Sequence, residues 1–131
     1  MDQTYLLNTI IADAYLKGAT GVHFGSAATP EKSNVLFRID GVLLEYMRIP
    51  DAAADDIIKR IKSMANLDVE DRHLPKIGHI KFKHEGLPEF KLAVTTRPND
   101  GLREAVTLRI QTAWDPLDLE NEERKASFLI T

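Results

Sequence analysis

The feature that most constrains this chain is a hairpin signal centred on Asp40-Gly41. Apolar-rich runs flank this dipeptide on both sides, within residues 34–47. An Asp-Gly pair suits a two-residue type I′ turn, because both turn residues then adopt positive φ. The register that follows predicts three cross-strand pairs: Ile39–Val42, Phe37–Leu44 and Val35–Tyr46. These six side chains would form one apolar face, so Arg38 is expected on the opposite face.

Two other segments have the apolar spacing of amphipathic helices. The first ends before Gly18, which suits the left-handed residue that follows a helix C-terminus. The second begins with Asp51 as its N-cap. The residues predicted to be buried are Leu7, Ile10, Ile11 and Ala14 in the first helix and Ile57, Ile61 and Met64 in the second. The second helix would then have Lys59, Arg60 and Lys62 on its exposed sides.

Alternating or short apolar runs predict the remaining strands. They lie at residues 22–28, 79–83, 89–96 and 105–111, with a loop at 71–79. The predicted order is α-β-β-β-α-β-β-β. Because strands cluster in hairpins instead of alternating with helices, the expected fold class is α+β, a PAS-like antiparallel sheet with two main helices packed on it. The folded domain is expected at 1–112, followed by a linker or C-terminal extension at 113–131.

Composition excludes several functions. The chain has 17 Lys and Arg against 20 Asp and Glu, a net charge of −3, so it is not a strongly basic nucleic-acid binder. It has no cysteine, which excludes a disulfide framework and a thiol nucleophile. A phosphate-binding P-loop requires a glycine followed by Lys and then Ser or Thr, and no glycine of this chain is followed by that pair. Because the P-loop is missing, we expect no ATP hydrolysis by this chain alone. We also expect a cytoplasmic protein.

The basic residues after the second helix leave two interpretations open. Residues 72–84 contain four Lys or Arg and no acid. They form either the exposed face of a strand with a basic loop, or a surface for phosphate or an acidic partner domain. The candidate interface residues are Arg72, His73, Lys76 and His79. The histidine spacing matches no common zinc pattern, so solvated histidines are favoured over a metal site.

Two segments resemble a known family. They are residues 37–43 (FRIDGVL) and 61–68 (IKSMANLD), which are similar to the N-terminal domain that precedes the ATPase core in type II secretion and type IV pilus assembly ATPases. Residues 17–23 (KGATGVH), the Pro75–Gly78 loop and the strands around residues 94–98 and 108–110 agree in the same order. The resemblance covers roughly residues 5–112.

The resemblance implies a non-catalytic domain that contacts a neighbouring subunit and couples to its ATP binding and hydrolysis. It also implies a homo-hexamer, ATP and magnesium in the catalytic domain, and inner-membrane secretion or pilus platform proteins as partners, with the protein peripheral at the bacterial inner membrane. Arg109 matches an arginine that reaches nucleotide phosphate, and Arg38 matches a hairpin arginine. Ala93 stands where the family usually has a second such arginine. The alternative is a stand-alone PAS-like module that binds a small ligand or a protein.

Overall fold

A six-stranded antiparallel sheet carries two helices on one face. The computed structural model describes residues 3–26, 32–71, 75–98 and 104–111. The elements are α1 (Thr4–Leu16), β1 (Gly21–Ser26), β2 (Lys32–Ile39), β3 (Val42–Pro50), α2 (Asp51–Met64), β4 (Lys76–Phe82), β5 (Phe90–Pro98) and β6 (Glu104–Gln111). The predicted fold class and element order are confirmed. The linker predicted at 113–131 lies outside the described residues.

The strand order in the sheet is β3-β2-β1-β6-β5-β4, with every neighbouring pair antiparallel. The chain therefore builds two three-stranded halves, and β1 joins them by pairing with both β2 and β6. This arrangement brings the first and last strands of the chain together at the centre. Any site on the middle of the sheet must combine residues that are far apart in sequence.

The hydrophobic core lies between the helices and one face of the sheet. Both helices and alternate residues of the strands contribute to a single buried cluster. The fully buried members with the largest side chains are Phe24, Phe37, Leu7, Ile10, Ile11, Ile57, Ile61, Leu92 and Leu108. Because successive strand residues point to opposite faces, this cluster leaves the other set of strand side chains on the face without helices.

The predicted hairpin turn is confirmed, since Asp40 and Gly41 have φ values of 52° and 79°. The predicted pairs Ile39–Val42 and Phe37–Leu44 are also present. Val42 and Leu44 are nevertheless exposed, so the apolar face of the hairpin extends beyond the helices that cover the core.

The third predicted pair is wrong, because Val35 pairs with Met47 and not with Tyr46. The register shifts between Val35 and Leu36, which leaves Tyr46 as an extra residue on β3. Its ring stacks on Phe37 at a centroid distance of 4.1 Å. Its hydroxyl donates a hydrogen bond to the carboxylate of Asp13, which ties the hairpin to α1.

The structure corrects three further predictions. Lys62, expected on an exposed side of α2, is completely buried, because its ammonium group forms an ion pair with Glu104 at 2.9 Å. β4 begins at Lys76, inside the predicted loop, where it pairs with β5. The N-cap of α2 is Pro50, and Asp51 is instead the first helical residue, where its charge suits the helix dipole.

Candidate phosphate-binding face

The sheet face without helices, here called the open face, carries the candidate site. Its central strands contribute His23 from β1, Arg38 from β2, and Thr107 and Arg109 from β6. Along each strand, these positions alternate with residues of the buried core, such as Val22, Phe37 and Leu108. All four side chains are half-buried. Both helices pack on the other face, so the described part of the chain leaves this face uncovered.

Gly21 separates the two arginines that the family resemblance singles out. In the central strand, it pairs with Arg38 on one side and with Arg109 on the other. Two strand spacings put the Cα atoms of the arginines about 10 Å apart. Because glycine has no side chain, a cavity of about 260 Å³ remains between them, which Thr20, His23, Thr107 and Ile110 also line.

The chemistry of this cavity favours an anion. Two guanidinium groups line it, and none of the described residues in its lining carries a carboxylate. Arg38 donates one hydrogen bond from Nη1 to the carbonyl oxygen of Gly41, at 3.0 Å, which fixes the direction of its side chain. An arginine has five N–H donors in a planar fork, so further donors of Arg38 can reach a ligand.

His23 lies beside this cavity at the centre of the open face. Its Nδ1 is 3.0 Å from the hydroxyl oxygen of Thr107, which fixes the ring. Burial lowers the pKa of His23 below its ordinary value of 6.5, and the positive charges of Arg38 and Arg97 lower it further. The imidazole is therefore mainly neutral at pH 7. The two arginines make the electrostatic potential around it positive.

Arg97 is a residue of this face that sequence reasoning did not single out. It pairs with Ala105. On the open face, His23 therefore lies between Arg97 and Arg38. The signal was present, because the buried residues Leu92, Val94 and Thr96 of β5 place odd-numbered neighbours on the open face. The order of the strands, which brings β5 close to β1, was not readable from the sequence.

Two of the other predicted interface residues, Lys76 and His79, are described, and neither lines this cavity. Lys76 forms an ion pair with Asp71 at 2.9 Å, so part of its charge is neutralised. His79 is exposed on β4 and pairs with Ala93, which in turn pairs with Arg109. Arg72 and His73 lie outside the described residues.

The described part of the chain contains no group of three His, Asp or Glu side chains that could hold a metal ion. It also contains no helix long and apolar enough to cross a membrane.

A model of a known protein family matches most of the chain. A model of the family described as "Type II/IV secretion system protein" matches residues 3–125. The chain belongs to this family. The family resemblance predicted from the sequence is thereby confirmed.

Individual relatives of the family match smaller regions. The type IV pilus assembly ATPase PilB of Myxococcus xanthus is 42% identical over 94 residues, which is 71% of this chain and 16% of that protein. The type II secretion system protein E of Pseudomonas aeruginosa is 35% identical over 106 residues, which is 80% of this chain and 20% of that protein. The chain therefore spans a small part of the length of these relatives.

A solved structure shows the same fold. The X-ray structure of the Legionella pneumophila ATPase DotB matches with a TM-score of 0.57 and 15% sequence identity. The match covers 81% of this chain and 29% of that one. At this identity the likeness concerns the fold alone.

Proposed function

We propose that this chain is a non-catalytic domain of a secretion or pilus-assembly ATPase, and that it contacts nucleotide phosphate held by a neighbouring catalytic domain. The observation that carries the proposal is the pair Arg38 and Arg109, which flank Gly21 on the sheet face that the described helices leave uncovered. Family membership supplies the context, since several of the matched relatives are named as ATPases.

The residues of the cavity fit one part of a bound nucleotide. Guanidinium groups can donate two parallel hydrogen bonds to a phosphate, which gives both charge neutralisation and direction. Among the residues that the structure describes, those lining the cavity include no carboxylate, so they offer no carboxylate ligand to magnesium. This domain would hold and orient phosphate oxygens, while the metal and the P-loop belong to the catalytic domain.

Such contact would also explain coupling between subunits. A domain that touches phosphate bound elsewhere gains a favourable interaction only when that nucleotide is present, so the two domains change their relative position with nucleotide state. We infer a homo-hexamer at the cytoplasmic side of the bacterial inner membrane, with secretion or pilus platform proteins as partners. The family membership of the chain supports this inference.

A chimeric ATPase tests the proposal. This chain replaces the matching 94-residue region of the Myxococcus xanthus protein PilB, and steady-state ATP hydrolysis is measured. Loss of one donor to a reacting phosphate removes transition-state stabilisation, so Arg109→Gln should lower kcat by about tenfold to a hundredfold. Arg109→Lys should restore only part of the rate, because an ammonium group has the charge but not the fork.

Arg60→Gln is the matched control. Arg60 is exposed on α2, on the helix side of the sheet, and should leave kcat unchanged. Equal kcat in the parent chimera and in Arg109→Gln would remove Arg109 from the site and would favour the alternative of a separate ligand-binding module.

A further inference from the structure

A second cavity lies on the open face. His23 separates it from the cavity between Arg38 and Arg109, here called the Gly21 cavity. Its floor is made of two small residues, Gly25 on β1 and Ala105 on β6, which are close enough that a Cβ on Gly25 would lie 3.7 Å from the Cβ of Ala105. Gly25 and Ala105 are the middle two of four residues that lie side by side on neighbouring strands. The two outer residues have larger side chains. Asn34 pairs with Gly25, and Arg97 pairs with Ala105. The resulting cavity has a volume of about 250 Å³.

Two side chains in this cavity have unused hydrogen-bonding capacity. In the part of the chain that the structure describes, Arg97 has no hydrogen-bond or ion-pair partner. The side-chain oxygen of Asn34 is buried and accepts no hydrogen bond from any described residue. A buried polar atom without a partner is costly, so the site favours a ligand that supplies one.

The described residues that line the cavity include no acid, and His23 and Thr107 form the wall towards the Gly21 cavity. His23 and Thr107 already bond to each other. A ligand would therefore take its main contacts from the guanidinium of Arg97 at one end and the amide oxygen of Asn34 at the other. These contacts require an anion that also carries a hydrogen-bond donor.

We propose that the cavity between Arg97 and Asn34 binds a phosphate group, separately from the Arg38–Arg109 pair. A phosphate offers oxygens to the guanidinium fork and, when singly protonated, an O–H to the amide oxygen. The cavity is smaller than the roughly 300–1,000 Å³ typical of sites for whole small molecules, so it fits a single group. That group is free phosphate or the phosphate of a larger ligand.

Amide chemical shifts of the 131-residue chain test this proposal. Inorganic phosphate is titrated at constant ionic strength, and the amides of Gly25 and Ala105 should shift in a saturable way. Arg97→Gln should weaken the apparent affinity about tenfold, because a charged hydrogen-bonding partner is lost. The control Arg60→Gln should bind as the parent does.

Sulfate provides a test of Asn34. It has the charge of phosphate but no O–H at neutral pH, so the parent chain should bind phosphate more tightly than sulfate. Asn34→Ala should abolish that preference by removing the acceptor. A parent chain that shows no preference, or a variant that keeps it, contradicts the role of Asn34.

Titration with ATP separates the two sources of phosphate. Shifts at Gly25 with ATP but not with inorganic phosphate support the site and assign it to a larger ligand. No saturable shift with either ligand, or equal affinities for the parent and Arg97→Gln, overturns the proposal. Arg109→Gln should keep phosphate binding here while it lowers ATP hydrolysis in the chimera, so the failure of one proposal is distinguishable from the failure of the other.

Discussion

The buried ion pair between Lys62 and Glu104 allows a quantitative prediction about stability. The Lys62 ammonium lies 2.9 and 3.0 Å from the two carboxylate oxygens of Glu104 and 2.7 Å from the carbonyl oxygen of Asp71. The exposed fractions of the two charged side chains are 0% and 4%. The pair therefore joins the last turns of α2 to the start of β6, 42 residues apart, without access to water.

Lys62→Met should destabilise the chain by about 3–5 kcal/mol, because it leaves the carboxylate of Glu104 buried without a partner. That is a large fraction of the roughly 5–15 kcal/mol that stabilises a typical domain. The double variant Lys62→Met/Glu104→Leu removes both charges. It should be more stable than Lys62→Met alone by at least about 1 kcal/mol, although the carbonyl of Asp71 still loses its donor.

Urea denaturation followed by circular dichroism gives the free energies of unfolding, and Lys59→Met on an exposed position of α2 serves as the control. The control should change the free energy by less than about 0.5 kcal/mol. A Lys62→Met variant as stable as the control, or a double variant destabilised by the sum of the Lys62→Met and Glu104→Leu changes, would contradict the cost assigned to the unpaired carboxylate.

Three further predictions concern the hairpin and the open face. Tyr46→Phe removes the hydroxyl that bonds to Asp13 and should cost about 1 kcal/mol in urea denaturation, since both groups are only partly buried. Burial and two nearby arginines lower the pKa of His23, so the folded state binds its proton less readily than the unfolded state. The parent chain should therefore lose stability as pH falls below about 6.5, and more so than His23→Gln, when unfolding is compared at pH 7.5 and 5. Ala93→Arg places a second guanidinium next to Arg109 and should raise the ATPase rate of the chimera at low ATP concentration; an unchanged rate would separate Ala93 from the phosphate site.

Local chemistry made much of the fold predictable. Asp40-Gly41 determines its turn by itself, because few other pairs accept positive φ at both positions. The buried face of α1 followed from spacing alone. The position of Lys62 was predicted wrongly because its burial depends on a residue distant in sequence. Helical spacing places a lysine in water unless a distant partner is known, and the partner Glu104 lies on β6.

The candidate site was only partly predictable. Arg109 and Arg38 were singled out by resemblance, but their placement on either side of Gly21 depends on β1 lying between β2 and β6. The second cavity depends on the same strand order, since Gly25 and Ala105 leave space only as neighbours. Residue patterns along one strand give the face of a side chain, whereas the pairing of strands decides which side chains meet.

The most direct test of the central claim is a structure of the assembled chimera with magnesium and a non-hydrolysable ATP analogue. We expect the guanidinium of Arg109 to lie within about 2.7–3.2 Å of a phosphate oxygen bound by a catalytic domain, with Arg38 on the other side of Gly21. A structure in which the nucleotide is bound but the open face points away from it would contradict the account.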